Sequence, residues 1–114
     1  MQGIFLSYAR SDDEPYTRSV YDRLRTEGYD VWFDREHMPS RSLTFLQEIR
    51  DAVRSRDRLV VVLGPGAVES DYVRAEWQAA LVDSKVVTPV LRLGDYNLVP
   101  PELRNLHCPD VRAS

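Results

Sequence analysis

The sequence predicts an α/β fold, an open parallel sheet of five strands with helices on both faces. Short runs of β-branched and aromatic residues alternate along the chain with segments of helical periodicity. Such alternation is typical of strand–helix–strand units joined by right-handed connections. Residues 59–63 (LVVVL) are continuously apolar, as in a central parallel strand buried on both faces. The length of 114 residues suits one domain.

Five runs predict the strands. In chain order they lie at residues 4–6, 31–33, 59–63, 86–91 and 107–111. Pro89 has no N–H to donate within the fourth run, so we expect an interruption or a sheet edge there. A doubly wound domain normally adds a covering helix after its last strand, and none is predicted here. We therefore expect residues 1–114 to form a single domain without its final helix, the N-terminal part of a longer multidomain protein.

The first helix is predicted from its start signal. Asp12 and Asp13 precede Pro15, and acidic residues followed by proline are typical of a first helical turn. An apolar stripe continues through Val20 and Leu24, and the helix should end near Gly28.

Two further helices are predicted from apolar residues at three- and four-residue steps. The stripe of the second helix consists of Leu43, Leu46, Ile49 and Val53. Ser40 or Ser42 is available to cap it, and Ser70 is available to cap the third helix. The predicted buried side of the third helix consists of Val73, Trp77, Ala80 and Leu81.

Composition excludes several classes of partner and location. The net charge of −3 and the pI of about 5.3 provide no basic field for nucleic acid or anionic lipid. The apolar runs are too short to cross a bilayer, and Met1 leads directly into a strand pattern without a signal peptide. Cys108, the single cysteine, has no partner for an internal disulfide. We expect a cytoplasmic protein without nucleic-acid or membrane contacts.

Polar residues follow three of the predicted strands. They form the segments 7–12 (SYARSD), 34–37 (DREH) and 64–66 (GPG). Because ligands of open α/β sheets bind outside the carboxyl ends of the strands, these segments are expected to converge on one crevice. Tyr72 and Glu76, four residues apart, share one face of the third helix.

Standard motifs for cofactor or metal binding are mostly absent. There is no Walker-type phosphate loop, and Gly64 and Gly66 give G-x-G without the third glycine of a dinucleotide fingerprint. The spacing of Asp34, Glu36 and His37 matches no known metal site, so a solvated loop is the better interpretation. The sequence predicts neither a metal nor a cofactor.

Four segments together resemble a known family. They are residues 5–12 (FLSYARSD), residues 28–34 (GYDVWFD) with Pro39, residues 63–67 (LGPGA) and residues 70–77 (SDYVRAEW). In this order they resemble the conserved boxes of Toll/interleukin-1 receptor (TIR) domains, over residues 3 to about 111. The overall pattern looks like bacterial TIR domains placed ahead of a nucleotide-binding ATPase or another sensor. The resemblance implies a flavodoxin-like fold and, in many members, cleavage of NAD⁺ at its nicotinamide–ribose bond.

The resemblance assigns roles position by position. Glu76 matches the family's catalytic glutamate, and Tyr72 stands one turn earlier, where the family often has tryptophan. The nucleotide-contacting segment after the first strand is matched by Tyr8, Ala9 and Arg10. Asp34 matches the acidic residue after the second strand, and residues 35–42, beginning with Arg35, match the loop that gates the site and makes TIR–TIR contacts.

Three departures from the family pattern stand out. Ala9 occupies a position where some active members have a basic residue, and Ser40 follows Pro39 where many members have glycine. The final helix is also missing. We expect Arg10 or Arg35 to hold the NAD⁺ pyrophosphate, since no glycine-rich cradle is present.

A single carboxylate suits this chemistry. Nicotinamide is cationic in NAD⁺ and leaves as a neutral molecule, so the acid carboxyl of ordinary glycosidases is not needed. We expect Glu76 at the border of the buried face of its helix, where the crevice opens, with Tyr8 or Tyr72 stacking on substrate. Without the resemblance, Glu76 would be interpreted as a solvated helix residue, Asp34 as a loop cap, Arg10 as a surface ion pair and Tyr72 as core.

The predicted function is that of an NAD⁺ glycohydrolase effector in bacterial anti-phage immunity, with NAD⁺ as substrate. We expect a monomeric domain that becomes active when it clusters with other TIR domains. The alternative is a non-catalytic TIR–TIR interaction module. A response-regulator receiver is disfavoured, because its paired acidic residues after the first strand and its lysine after the last strand are missing.

Overall fold

The computed structural model describes residues 3–32 and 45–113. Its strands are β1 (Gly3–Ser7), β2 (Asp30–Trp32), β3 (Arg58–Leu63) and β4 (Val86–Leu91), and its helices are α1 (Arg10–Thr26), α2 (Phe45–Arg54), α3 (Pro65–Glu69) and α4 (Asp71–Val82). Two 3₁₀ turns, Tyr96–Leu98 and Pro101–Leu103, follow β4. The described strands form one parallel sheet in the order β2-β1-β3-β4. The predicted doubly wound α/β architecture is confirmed.

The two faces of the sheet bury different side chains. Phe5 lies on the face that packs against α2 and α4, in a core that includes Ile49 and Trp77. Leu6 points to the opposite face, where it packs with Val62 against the apolar side of α1. This alternation follows from the two-residue period of a strand. Helices therefore cover both faces of the strand that carries the first polar segment.

The predicted fifth strand is reduced to a single bridge. Leu91 donates its N–H to the carbonyl of Pro109 over 2.9 Å and accepts from the N–H of Val111 over 2.9 Å. In a strand, the backbone groups of every second residue point to the same neighbouring strand. Two positions before Leu91 that residue is Pro89, which has no N–H to donate and so cannot extend the ladder. The expectation of a fifth strand at residues 107–111 is thus wrong, and the expected sheet edge at Pro89 is the physical reason.

Helix α1 begins where its start signal predicts. Asp13 has non-helical angles (φ −147°, ψ 78°), and its Oδ1 accepts from the N–H of Tyr16 over 3.1 Å. Asp13 therefore caps the long part of the helix, and Pro15 lies in the first turn, where no N–H partner is needed. The preceding residues form one separate turn in front of this cap.

The other two predicted helices are present as α2 and α4. The Oγ of Ser70 accepts from the N–H of Val73 over 3.2 Å, as predicted for a cap. Leu81 was expected on the buried side of α4 but is 37% exposed, and this expectation is wrong. It lies in the last turn of the helix, next to the exposed Val82. Ser40, Ser42 and Leu43 lie outside the described residues. No helix in the described part of the chain is long and apolar enough to span a membrane.

Candidate functional site

Glu76 is enclosed between α4 and the sheet. Its carboxylate Oε1 accepts a hydrogen bond of 2.6 Å from the Oγ of Ser7, the last residue of β1. Glu76 is 1% exposed and is the one charged residue among the fully buried side chains whose burial the structure describes. The expectation that it lies at an open border of the helix is therefore wrong. The structure places it inside the core.

The burial of Glu76 follows from its position in the helix. Val73, Glu76, Trp77 and Ala80 are the buried residues of α4, and their spacing is that of one continuous helix stripe. Burying a carboxylate is costly unless hydrogen bonds compensate for the lost water. A carboxylate at a core position is thus a local conflict of the kind that is expected at functional sites. The spacing alone, read with Glu76 included, would have located it in the core.

Ser7 is a site residue that sequence reasoning missed as an individual. It pairs with Val61 in the register of β1 and β3 and is fully buried. The strand alternation puts it on the same face as Phe5, toward α4. The available signal was a hydroxyl at the end of an apolar strand, directly before the segment that resembles the nucleotide-contacting box.

Tyr8 and Ala9 lie directly after Ser7, but the side chain of Tyr8 does not join Glu76. Tyr8 is 3% exposed and packs with Leu6 and Val62 on the α1 face of the sheet. The predicted stacking of its ring on substrate stays a prediction. Ala9 has extended angles in front of α1 and borders the core on the α4 side.

The remaining predicted site residues divide into two groups. Tyr72 is partly buried one turn before Glu76 and packs against the same core. The backbone of Arg10 begins α1, directly after the 8–9 segment. Asp34 and Arg35 lie outside the described residues, as does the rest of the predicted gating loop to residue 42. The roles of these residues stay predictions.

Asp12 joins the first turn of α1, directly after the loop that follows β1, to the start of α3, directly after β3. Its Oδ1 accepts from the N–H of Gly66 over 2.8 Å, and its Oδ2 accepts from the N–H of Ala67 over 2.9 Å. A Cβ on Gly64 would lie 2.5 Å from the Asp12 carboxyl carbon, and one on Gly66 would lie 2.2 Å from the Oγ of Ser11. The absence of side chains at Gly64 and Gly66 therefore leaves room for the side chains of Asp12 and Ser11.

This bridge lies at the point where the strand order reverses, between β1 and β3. Open α/β sheets usually bind ligands in the crevice at that point, and here Asp12 spans it. The predicted convergence of polar segments is confirmed for the loops after β1 and β3. The segment after β2 lies outside the described residues.

Arg92 ties the end of β4 to the same region. Its Nε lies 3.0 Å from the Oδ2 of Asp13, and its Nη1 donates to the carbonyl of Val111 over 2.6 Å. Its guanidinium also lies 4.1 Å from the ring centroid of Tyr16. The hydrogen bond from the Tyr16 N–H, followed by that from Arg92, lowers the pKa of Asp13 below its usual value. The carboxyl edges of β1 and β4 are thus held together by a charged pair.

The thiol of Cys108 is not activated. Cys108 is partly buried, and burial, with a smaller effect of Asp110, raises the pKa of its thiol. A raised pKa keeps the sulfur protonated and unreactive at neutral pH. Within the described ranges, no three His, Cys, Asp or Glu side chains are placed to hold a metal ion.

Two surface grooves lie elsewhere on the molecule. A groove of about 470 Å³ separates α2 from α4 and includes Ile49 and Gln78, and a second of about 490 Å³ runs between Arg74 of α4 and Pro100. Neither groove is lined by Glu76 or Tyr8. The carboxylate is thus reached through neither of them.

Comparison with known proteins decides the family. The family model described as a TIR domain matches residues 4–114, nearly the whole chain. This chain is a TIR domain. The resemblance of the four sequence boxes is thereby confirmed at the level of the family, and TIR domains interact with other TIR domains.

Two solved structures support the fold of this TIR domain. The TIR domain of the Toll-related receptor TRR-2 from Hydra magnipapillata superposes with a TM-score of 0.76 at 22% identity, over 95% of this chain and 82% of that one. A metazoan TIR-STING receptor from C. gigas gives a TM-score of 0.70 at 23% identity, over 92% of this chain and 36% of that one. Both confirm the predicted flavodoxin-like α/β fold.

A curated relative is similar in sequence. A stimulator of interferon genes protein from Magallana gigas is 27% identical over 112 residues, which cover 91% of this chain and 26% of that protein. The TIR domain described here thus spans about a quarter of that relative. The named relatives are animal proteins, so the bacterial character expected from the sequence stays a prediction.

Proposed function

We propose that this TIR domain is an NAD⁺ glycohydrolase in which Glu76 is the catalytic residue. The observation that carries the proposal is the buried carboxylate of Glu76, hydrogen-bonded to Ser7 at the carboxyl end of β1. A carboxylate contributes nothing to packing at a core position of a helix. A chemical role would account for the presence of Glu76 at such a position. The segment that follows Ser7 is the one that resembles the family's nucleotide-contacting box.

The chemistry needs one fixed negative charge. When the bond from nicotinamide to ribose breaks, positive charge develops on the ribose ring and neutral nicotinamide leaves. A carboxylate held in position inside a water-poor site stabilises that charge without reorganisation at the moment of reaction. The Ser7 hydroxyl fixes one carboxylate oxygen of Glu76. The products are nicotinamide and ADP-ribose or a cyclised form of it.

Enclosure of Glu76 supports activation by self-association. A carboxylate that is 1% exposed does not touch a substrate in this conformation, so the covering residues have to move before reaction. Contacts between TIR domains would supply the free energy for that change. On this proposal the isolated domain is nearly silent, and activity per molecule rises with concentration.

The biological setting forms part of the same proposal. Kinship with a stimulator of interferon genes protein and with a TIR-STING receptor supports a role in innate immune signalling. By analogy with the TIR-STING receptor, a sensor domain would accompany this one in a longer protein. Antiviral action and a cytoplasmic location belong to the same proposal, as do Arg10, Asp34 and Arg35 as NAD⁺ contacts.

The test replaces Glu76 by an isosteric neutral residue. Glu76→Gln keeps a side-chain oxygen that accepts from Ser7 and removes the charge. Loss of such a preorganised interaction should lower nicotinamide release from concentrated protein about a hundred- to a thousandfold. The matched control is Glu69→Gln on the exposed end of α3, which should cleave NAD⁺ like the wild type.

Two outcomes would contradict the proposal, the first for the catalytic role of Glu76 and the second for the enzyme assignment. One is a folded Glu76→Gln protein that releases nicotinamide at the wild-type rate, with folding checked by circular dichroism and thermal unfolding. The other is no release by the wild type at any concentration. The second result would favour the alternative, a non-catalytic TIR–TIR interaction module, for which light scattering over a concentration series measures self-association. A rate strictly proportional to protein concentration would contradict activation by clustering.

A further inference from the structure

The segment between β1 and the long part of α1 is fixed by the side chain of Asp12, which lies at the end of that segment. The N–H of Asp12 donates to the carbonyl of Ala9 over 3.1 Å, which closes the turn. The two carboxylate oxygens of Asp12 then accept from the consecutive N–H groups of Gly66 and Ala67. A carboxylate held at both oxygens has a defined orientation as well as a defined position.

We infer that Asp12 is a positioning residue for NAD⁺ binding. It acts through the 8–10 segment, which lies between Ser7 and the clamped turn. This inference rests on the proposed function, because it takes that segment as the part of the chain that contacts NAD⁺. Both carboxylate oxygens of Asp12 are engaged by the backbone of α3, so it would act on the substrate only through the 8–10 segment.

The close approach of the two loops makes this role specific. A Cβ on Gly66 would lie 3.0 Å from the Oδ1 of Asp12 and 3.4 Å from the Cβ of Ala9, besides its clash with Ser11. The turn is therefore pressed against the loop after β3 and has no room to move inward. With the clamp removed, the turn is free to move outward, and the 8–10 segment samples several positions. Substrate binding then has to order it again, which lowers affinity.

Glu76 is held independently of this clamp. Its partner Ser7 belongs to β1, which is paired on both sides by β2 and β3. Loss of the clamp should therefore weaken substrate binding more than it slows the chemical step. In kinetic terms, the expected signature is a raised KM with a largely retained kcat.

A matched control lies at the amino-terminal end of β1, opposite the end that carries the 8–10 segment. The Oδ2 of Asp57 accepts from the N–H of Gly3 over 2.8 Å, and the N–H of Asp57 donates to the carbonyl of Gly3 over 2.9 Å. Like Asp12, it joins two backbone segments far apart in sequence through a carboxylate. It lies at the amino end of β1, away from the loops that follow the strands. Its removal tests stability without touching the 8–10 segment.

The experiment measures NAD⁺ affinity in the absence of cleavage. Isothermal titration of Glu76→Gln protein with NAD⁺ gives a Kd, which is then measured again with Asp12→Ala, Asp12→Asn or Asp57→Ala added. We expect Asp12→Ala to raise the Kd at least about tenfold and Asp57→Ala to leave it within about twofold. Asp12→Asn keeps one acceptor oxygen, so its Kd should fall between those of Asp12→Ala and the parent.

Each outcome decides for or against the inference. A Kd that Asp12→Ala leaves unchanged overturns it, even if the melting temperature falls. Equal weakening by Asp12→Ala and Asp57→Ala also overturns it, because general loss of stability then explains both. The absence of NAD⁺ binding by the parent overturns it together with the assignment of the 8–10 segment. Binding that depends on Asp12, in a domain whose wild type never releases nicotinamide, supports the positioning role and refutes the enzyme.

Discussion

Replacing Ser7 by alanine should destabilise the domain much more than an ordinary surface serine substitution. Ser7 donates to the Glu76 carboxylate over 2.6 Å, and both side chains are fully buried. A hydrogen bond to a charged group contributes about 1.5–3 kcal/mol, and its loss leaves a buried acceptor short of a donor. For a domain of this size, each kcal/mol shifts the melting temperature by about 4 °C. We expect Ser7→Ala to lower it by about 6–12 °C.

The chain supplies a control of the same bond length. The Oγ of Ser19 donates to the carbonyl of Tyr16, also over 2.6 Å, but this bond is exposed on α1. Ser19→Ala should change the melting temperature by less than about 2 °C, because water replaces an exposed donor. The two substitutions remove the same group, and they differ in burial and in the charge of the acceptor.

A double-mutant cycle then assigns the effect to the pair. Thermal unfolding of Ser7→Ala, Glu76→Leu and the double variant gives the interaction energy, because leucine has no atom to accept from Ser7, and it should be about 0.5–3 kcal/mol for residues in direct contact. A Ser7→Ala protein that melts within about 2 °C of the wild type would refute the reasoning. So would a cycle without interaction energy, since the two side chains would then not share a hydrogen bond.

Two further predictions concern the loop clamp and the carboxyl-terminal segment. Gly66→Ala should lower the free energy of unfolding by about 1–3 kcal/mol in urea titrations, because the added Cβ would lie 2.2 Å from the Oγ of Ser11; unchanged stability would contradict the close approach. Hydrogen bonds from Arg112 lower the pKa of Asp110 from 3.8 to about 2. The pair therefore stabilises the fold fully above the unfolded-state pKa and loses that effect as the pH falls through about 2. The gap in urea midpoint between wild type and Asp110→Asn should stay constant above about pH 5 and vanish toward pH 2, and a gap that persists there would contradict the assignment.

The sequence by itself determined the order and type of the four described strands and of helices α1, α2 and α4. Strand β3 follows from a continuous apolar run and the apolar part of the buried stripe of α4 from helical periodicity, and both signals act within one element. The caps at Asp13 and Ser70 follow from local hydrogen-bonding geometry, which spans three residues. Pro89 predicted an interruption or a sheet edge because it has no N–H to donate to a neighbouring strand. This signal is carried by one residue. All of these signals lie close together along the chain.

The tertiary structure decided the site. The bond from Ser7 to Glu76 joins residues 69 positions apart, and the clamp from Asp12 to Ala67 joins residues 55 positions apart. No periodicity or spacing connects such pairs, since each depends on how helices settle on the sheet. Sequence reasoning therefore placed Glu76 at an open border and interpreted the Gly64–Gly66 pair as weak support for a dinucleotide fingerprint. In the folded domain the first is a core residue, and the second makes room for a carboxylate of the same chain, because packing brings α4 onto β1 and α1 against the loop after β3.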